Sequence, residues 1–341
     1  MPEENLFNRT FNSFLHAHYG WYIVAIGAAM QLTTNFVSQA FAVLVVVIRD
    51  NFGWSLTAIV LAYSLRSVIG AVLAPAAGVL GDRYGARKVM FIGGGFFVGG
   101  LLLLSTITAI WQLFLYYSIV LGIAQALFRV NIPTTVAAWF KTKLGVAVGI
   151  QQSAGGMGAS ILAPGLAILL TQTDWKTAFI IIGIGGGAIV FGLLAFFYSE
   201  PSDRGEFPYG EGVDGKTPTA SLSAEITKIR SKVFLKRART TRAFWFLPLI
   251  HHLGCVGHAI IIVHGVFYAT TRGVSLEAAT LIISIYSFTS VVSRLVVPIL
   301  ADHLGAKGVM ALFYLLQGAS ALMLFWTQEP WHFFMFAAVF G

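Results

Sequence analysis

The chain has 341 residues, of which 57% are hydrophobic and only 11% are charged, and its mean hydropathy is +0.79. A soluble domain carries about 25% charged residues, so this composition excludes an ordinary soluble protein. The net charge is +8, and the single cysteine, Cys255, excludes both a disulfide within the chain and a metal site made of several cysteines. We expect Cys255 to be a buried packing residue of an apolar helix.

Apolar stretches that could cross a hydrocarbon core of about 30 Å as helices recur along the chain. They predict nine complete transmembrane helices and the start of a tenth, at residues 20–48, 55–79, 88–109, 112–139, 144–171, 175–198, 243–270, 276–301, 307–327 and from 331 onward. The pattern therefore predicts an all-α membrane protein. Because the tenth stretch reaches only about half of a membrane crossing before Gly341, we expect the C-terminal part of the fold to be truncated in that helix.

A long polar segment, residues 199–241, follows the sixth apolar stretch. It begins with glycine, proline and acidic residues and ends in the basic, helix-compatible sequence SAEITKIRSKVFLKRARTTR. We therefore expect a six-helix bundle at 1–198, a linker loop at 199–241 and an incomplete second bundle at 242–341. The basic end has two interpretations that the sequence leaves open: it lies on anionic lipid, or it is a solvated loop.

The basic residues are distributed unevenly between the two sides of the membrane. With the predicted spans, 16 of the 22 Lys and Arg residues lie on the side of the N-terminus and the linker, three lie on the other side, and three lie within spans. The positive-inside rule then places the N-terminus and the linker in the cytoplasm. We expect a multi-pass protein of the cell inner membrane, in contact with the lipid bilayer, and no binding to nucleic acid.

A charged motif, LGDRYGARKVM at residues 80–90, separates the second and third spans. A weaker copy, LADHLGAKGVM at residues 300–310, separates the eighth and ninth spans and aligns with the first without gaps. An internal repeat at equivalent positions of two halves is typical of transporters whose halves rock around a central site.

The first copy resembles the loop motif of the major facilitator superfamily, GxLaDrxGrkxxl. The resemblance implies the fold of that family, two six-helix bundles related by pseudo-two-fold symmetry, and transport by alternating access. It also implies a charge relay that gates the conformational change. The residues expected in this gating role are Asp82, Arg83, Gly85, Arg87 and Lys88, with Asp302 in the second copy.

A finer resemblance is to the monocarboxylate transporters and to the bacterial oxalate/formate antiporter-type carriers. It rests on residues 138–149, on 153–158 with Pro164, on 200–210 and on Gly53-Trp54. In those families an arginine of the eighth helix binds the substrate carboxylate, which implies this role for Arg294. The eukaryotic members have an aspartate one turn earlier, where this chain has Ser290, and a lysine in the first helix, which is absent here.

The charges inside the predicted spans are positive. All 14 acidic residues fall in termini, loops or span edges, whereas Arg66, Arg129 and Arg294 lie within spans two, four and eight. A guanidinium in the membrane needs anionic or dipolar partners, and a mobile carboxylate can bind to it through two hydrogen bonds. We therefore predict that these arginines bind an anionic substrate. The alternatives are arginines that bond only to helix carbonyls and, for Arg129, one that holds a broken helix together.

Four further polar residues within spans are weaker candidates for substrate binding: Tyr286, Asn35, Gln151 and His258. Each could equally join two helices. Because no span contains a carboxylate, histidine is the group that could exchange a proton near neutral pH, and His258 and His264 are the candidates for proton coupling. The alternative for each is a buried histidine with satisfied hydrogen bonds.

Together these features predict a secondary active transporter of small organic anions, either monocarboxylates or small dicarboxylates. Transport would be coupled to H⁺ or to a counter-anion, as a symporter or an antiporter. No nucleophile–base pair or metal-ligand cluster indicates an enzyme, and no motif indicates a cofactor. Two alternatives stay open: a carrier of a non-carboxylate or neutral solute, and a membrane sensor that does not transport.

Overall fold

The computed structural model describes residues 18–39, 48–211, 224–327 and 329–341. Within these ranges the backbone is almost entirely helical, and extended pairing is limited to an isolated parallel bridge between Phe140 and Tyr209. The chain divides into two compact units, Met1–Ser221 and Leu222–Gly341. The prediction of an all-α membrane fold is confirmed at the level of secondary structure.

The described part of the first unit contains six long helices: α1 (Tyr19–Gln39), α2 (Leu56–Tyr84), α3 (Ala86–Leu104), α4 (Ile110–Ala138), α5 (Leu144–Gln172) and α6 (Trp175–Ala195). Residues 48–52 are also helical. In this bundle α1 packs on α5, α2 on α4, and α3 on both α4 and α6. Its core contains fully buried aromatic side chains, among them Trp139, Tyr117 and Phe128.

Small residues allow these helices to approach closely. A Cβ on Gly93 of α3 would lie 3.1 Å from the Cβ of Leu127 in α4, and one on Gly183 of α6 would lie 3.2 Å from the Cβ of Leu101 in α3. Lipid is as apolar as the side chains that it surrounds, so helices in a membrane associate through close packing of this kind and not through burial from water.

The first described helix of the second unit has 15 residues, Ala224–Ala238, and we name it the linker helix. It is followed by α7 (Arg242–Thr271), α8 (Leu276–Leu304), α9 (Ala306–Met323) and α10 (Pro330–Phe340), with a short 3₁₀ turn at Leu324–Trp326. In this unit α8 contacts α7, α9 and α10. Its buried core is small and includes Ala269, Ile282 and Phe333.

The outer surfaces of the helices are apolar, as lipid contact requires. Six of the described helical segments are long and apolar enough to cross a membrane: Leu56–Tyr84, Ala86–Leu104, Ile110–Ala138, Trp175–Ala195, Ile285–Leu304 and Ala306–Trp326. On α2, Leu61, Val68 and Val72 are each more than half exposed. A helix with internally satisfied backbone and an apolar exterior is what a bilayer accepts.

The predicted spans agree with the described helices to within about four residues except at the end of the third span, predicted at 109 and observed at Leu104, and around the charged motif. Residues 40–47 of the first predicted span lie outside the described residues. At the charged motif the sequence predicts a turn between residues 79 and 88, but α2 continues to Tyr84 and α3 begins at Ala86. Gly85 alone connects them, with φ 88° and ψ 133°, a conformation that residues with a Cβ rarely adopt. The charged residues of the motif therefore lie in helix ends instead of a loop.

Residues 199–211, which we name the return segment, fold back onto the first unit after α6. The Tyr209 N–H donates to the Trp139 carbonyl over 2.8 Å, and the Lys141 N–H donates to the Tyr209 carbonyl over 2.9 Å. The Arg204 guanidinium lies 3.8 Å from the centre of the Tyr19 ring. These contacts join the start of α1 to the α4–α5 connection. Within the linker predicted at 199–241, the return segment thus packs against the first unit.

Candidate functional site

Arg66 is buried between α2 and α4. Its side chain is 3% exposed, and its guanidinium carbon lies 5.4 Å from the centre of the Tyr117 ring. Tyr117 belongs to a π-helical stretch of α4, Phe114–Val120, a form that is rare and often marks functional sites. The neighbouring Ser118 hydroxyl donates to the Ala62 carbonyl of α2 over 2.7 Å. The π-helical stretch thus fixes α4 against α2 and places an aromatic ring on the arginine.

The same helix pair contains two further polar side chains. Asn131 is 2% exposed, and its amide donates to the Leu127 carbonyl over 2.7 Å and to the Ala77 carbonyl of α2 over 3.4 Å. The Oε1 atom of Gln125 is buried and has no hydrogen-bond partner among the described residues. Asn131 therefore joins the helices, whereas Gln125 keeps an acceptor that a water or a ligand could use.

Arg129 lies two residues from Asn131 but is exposed. The helix is continuous from Leu121 to Ala138 and includes Pro133. The alternative in which Arg129 holds a broken helix together is therefore wrong. Two residues correspond to about 200° around an α-helix, which explains why Asn131 faces α2 and Arg129 does not.

Neutral amides form a cluster between α1 and α5. The Nε2 atom of Gln151, a fully buried residue, donates to Oε1 of Gln31, and Nε2 of Gln31 donates to Oε1 of Gln152 over 3.1 Å. Asn35 joins the cluster beside Gly155, where a Cβ would lie 3.1 Å from the Asn35 amide nitrogen. We name Gln31, Asn35, Gln151 and Gln152 the amide cluster. The Oε1 atom of Gln151 has no hydrogen-bond partner among the described residues.

In the second unit, Tyr286 and Arg294 lie on α8. Tyr286 is half-buried, with its ring 6.0 Å from that of Phe340, whereas Arg294 is exposed. Ser293, next to Arg294, donates to the Gly341 carbonyl over 2.9 Å. Ser293 therefore faces α10.

The candidate histidines lie on α7. The backbone at His258 and His264 is helical, but their side chains fall outside the described residues. Cys255, on the same helix, is exposed, with its sulfur 3.5 Å from Nε2 of His251. The expectation that Cys255 is a buried packing residue is wrong, because this part of α7 faces outward.

The expected gating residues occupy the helix ends around Gly85 and Gly305. Arg87 donates from Nε to the Leu194 carbonyl over 2.9 Å and from Nη2 to the Ala195 carbonyl over 2.6 Å, so it binds the C-terminal end of α6. A cation there also interacts favourably with the helix dipole. Asp82, Arg83 and Lys88 are exposed, as is Asp302 in the second copy.

The structure thus groups some of the predicted residues and adds others that sequence reasoning missed. It brings Gln151 and Asn35 together with Gln31 and Gln152, and it places Arg66 on Tyr117. It does not bring Arg129 into the buried α2–α4 interface with Arg66. Gln31 had a signal in the sequence, since it lies four residues before Asn35 on a helix that is otherwise largely apolar. Tyr117 had none, because the π-helical stretch that orients it has no simple sequence pattern.

Comparison with known proteins identifies the family. The profile of the Major Facilitator Superfamily matches residues 24–341, nearly the whole chain. The chain belongs to this superfamily. The members of this superfamily are membrane transporters and not enzymes, and the resemblance seen in the motifs of the chain is confirmed.

The relatives of this superfamily member include organic-anion carriers. Monocarboxylate transporter 12 of Rattus norvegicus is 24% identical over 311 residues, which cover 87% of this chain and 63% of the relative. The oxalate:formate antiporter of Oxalobacter formigenes is 25% identical over 192 residues, which cover 54% of this chain and 44% of the antiporter. The chain therefore spans less than two thirds of the length of these relatives.

Solved structures of other major facilitator proteins share the fold. A proton:xylose symporter bound to 6-bromo-6-deoxy-D-glucose superposes with a TM-score of 0.68 at 14% identity, covering 94% of this chain and 78% of the symporter. A bacterial homologue of the iron transporter ferroportin, in an outward-facing state, gives a TM-score of 0.60 at 13% identity, covering 93% of this chain and 80% of that protein. At these identities the likeness establishes the fold alone.

Proposed function

We propose that this major facilitator protein is a secondary carrier of small organic anions, either monocarboxylates or small dicarboxylates. It would work by alternating access in the inner membrane, with its N-terminus and residues 199–241 on the cytoplasmic side. The main observation in support is that the charged side chains in the middle of the membrane helices are positive. Arg66, Arg129 and Arg294 occupy helix interiors, whereas the acidic residues that the structure describes lie in connections or terminal helix turns.

The depth of the arginines supports this role. Arg66 is ten residues from the start of α2, Arg129 nine from the end of α4, and Arg294 ten from the end of α8. At 1.5 Å per residue each lies about 14–15 Å from the nearer helix end. These 29-residue helices are about 43 Å long and extend about 7 Å beyond each face of a core about 30 Å thick, so each arginine lies about 7–8 Å inside the core. Charge at that depth is costly unless it faces water, a partner or an anion, so exposed Arg129 and Arg294 are suited to a hydrated anion path.

We assign different roles to the three arginines. Arg294 holds the substrate carboxylate through two parallel hydrogen bonds, with Tyr286 eight residues earlier on the same helix as a further donor. Arg129 supplies a positive charge in the first unit. Arg66 is held by Tyr117 within the first unit and acts mainly by raising the local potential. The partner in exchange is a second anion, as the name of the oxalate:formate antiporter suggests for that relative, or H⁺ carried by His258 or His264.

Conformational gating by the charged motif is part of the proposal. Arg87 binds the end of α6, and Gly85 and Gly305 form the two single-residue connections. Asp82, Arg83 and Lys88, with Asp302 in the second unit, are exposed at these helix ends and available to form and break contacts as the transporter changes state.

Counterflow in proteoliposomes tests the proposal. The panel contains labelled oxalate, formate, lactate and pyruvate, measured with the unmodified protein and with Arg294→Lys, Arg129→Lys and Arg66→Lys. Arg272→Lys is the matched control, because Arg272 follows the end of α7, where it donates to the Tyr268 hydroxyl over 2.9 Å. We expect exchange of at least one acid, a loss of more than about tenfold in Arg294→Lys, and normal exchange in the control. Absence of exchange for every acid, or normal exchange in all variants, would contradict the proposal.

A carrier of a neutral, hydroxyl-bearing solute is the second candidate, and the amide cluster is the observation that favours it. The cluster is uncharged, and the buried Oε1 of Gln151 is an acceptor that a substrate hydroxyl could satisfy. Exchange of a labelled sugar or polyol that is lost in Gln151→Leu and retained in Arg294→Lys would establish this candidate over the first.

A further inference from the structure

The linker helix, Ala224–Ala238, exposes an apolar stripe. Ile229 and Val233 are four residues apart and share a face, and they are 60% and 55% exposed. Phe234, beside Val233, is 71% exposed. Neighbouring apolar side chains on a charged helix outside the membrane core mark a surface that binds a partner.

Basic side chains border this stripe on one side and follow it at its C-terminal end. At 100° per residue, Lys232 and Lys236 lie about 100° and 60° to one side of Val233, whereas Arg237 lies about 40° to the other, one turn after Val233 and between the directions of Val233 and Phe234. All three are exposed. Long basic side chains beside an apolar stripe can lay their methylene groups along it and keep their charge at headgroup level. The charge is not balanced locally, because residues 224–242 contain seven basic residues and one acid, Glu225.

The C-terminal end of the linker helix is tied to the first turn of α7. The indole N–H of Trp245 donates to the Arg239 carbonyl over 3.0 Å. Thr241 caps α7 by accepting from the Phe244 N–H over 3.4 Å, so only residues 239–241 separate the two helices. Tryptophan at the end of a membrane helix lies at the level of the lipid headgroups, and Trp245 is 65% exposed. The linker helix therefore leaves the membrane helix at the depth of the headgroups.

We propose that the linker helix is an interfacial helix that binds anionic lipid headgroups. Ile229 and Val233 enter the boundary of the acyl chains, while Lys232, Lys236 and Arg237 bind lipid phosphates. The positive charge of the linker helix favours anionic lipid as its partner, because a neutral lipid surface would interact with the apolar stripe but not with the basic side chains. Each basic residue near an anionic surface strengthens partitioning roughly fivefold. The inference is independent of which substrate the transporter carries.

A fluorescent probe on the full-length protein tests this binding. Cys255 is the single cysteine, so a Cys255→Ala background permits one new cysteine at a time. Val233→Cys carries a polarity-sensitive label, in nanodiscs of phosphatidylcholine alone or with added phosphatidylglycerol. Leu235→Cys is the matched control, since Leu235 is also an exposed apolar residue but lies about 200° around the helix. Lipids with a quencher near the headgroup report insertion directly.

With phosphatidylglycerol present, we expect the fluorescence of the label at position 233 to shift to the blue and to be strongly quenched by the lipid quencher. Both effects should be lost in discs of neutral lipid and in high salt. They should also be lost in the Lys232→Glu, Lys236→Glu double variant. Position 235 should respond weakly throughout. If the label at position 233 reports an aqueous environment in nanodiscs that contain phosphatidylglycerol, the proposal is overturned in favour of a solvated helix. A shift that is equally large in detergent, or that is insensitive to salt, overturns it in favour of contact with protein or of apolar partitioning alone.

Discussion

Gly85 and Gly305, which occupy the same place in the two copies of the charged motif, have the same backbone conformation. Their φ angles are both 88°, and their ψ angles are 133° and 131°. Each N–H donates to the carbonyl four residues earlier, over 2.9 Å in the first copy and 3.0 Å in the second. The repeat is therefore a structural one, in which a single residue ends one helix and begins the next.

Replacement of either glycine by alanine should destabilise the protein by about 1–3 kcal/mol, because a Cβ is strained at this φ. A clash with neighbouring atoms would not cause this loss of stability. A Cβ on Gly85 would meet only Ser199 Oγ, at 3.6 Å, and one on Gly305 would meet nothing within 4 Å. The measurement is the apparent Tm in detergent. Gly95→Ala and Gly308→Ala serve as controls, because these helical glycines also have nothing within 4 Å. Equal Tm values for the two classes would show that the conformation is not required.

Arg87 should contribute to stability through its hydrogen bonds to the end of α6. Arg87→Lys keeps the charge but loses the pair of donors that reach the Leu194 and Ala195 carbonyls, and we expect a loss of about 1–2 kcal/mol. Arg83→Lys is the matched control, since Arg83 is exposed and lies 5.1 Å from the Tyr84 ring centre. Thermal unfolding in detergent distinguishes the two variants. A Tm loss of the same size in Arg83→Lys would mean that the contacts with α6 are not the cause.

The connection between α5 and α6 should give a pH-dependent contribution to stability. Hydrogen bonds from the Thr177 hydroxyl and N–H, the hydroxyl contributing most, hold the pKa of the Asp174 carboxyl below its usual range. A carboxyl whose pKa is lower in the folded state stabilises that state above its unfolded pKa of about 3.9, and this contribution is lost as the pH falls through the folded pKa.

Asp174→Asn tests this contribution, because asparagine can still cap the helix but cannot ionise. We expect the unmodified protein to have the higher apparent Tm near pH 6 and the difference to be smaller near pH 3. A difference of the same size at both pH values would show that Asp174 acts as a neutral cap only.

The sequence predicted the helices well because each apolar stretch encodes its own length, but it predicted contacts between helices poorly. The pairing of Gln31 with Gln151 depends on α1 packing against α5, which neither apolar stretch specifies. The sequence places the end of α2 too early, because its charged residues suggest a loop, whereas the single Gly85 with positive φ suffices to connect the two helices and leaves the charged residues in helix ends. By contrast, the opposite environments of Arg129 and Asn131 follow from helical periodicity and were accessible from the sequence.

Two adjacent glycines of α3 offer a test of close helix packing. A Cβ on Gly100 would lie 2.6 Å from Cδ2 and 2.8 Å from Cγ of Leu121 in α4, whereas one on Gly99 would meet nothing within 4 Å. Both substitutions by alanine gain the same helix propensity, about 1 kcal/mol, so any difference between them reports packing. We expect Gly100→Ala to lower the apparent Tm, because overpacking costs about 1–3 kcal/mol, and Gly99→Ala to leave it unchanged or raise it. If Gly100→Ala is as stable as Gly99→Ala, then Leu121 moves aside at little cost and the contact between α3 and α4 does not depend on the glycine.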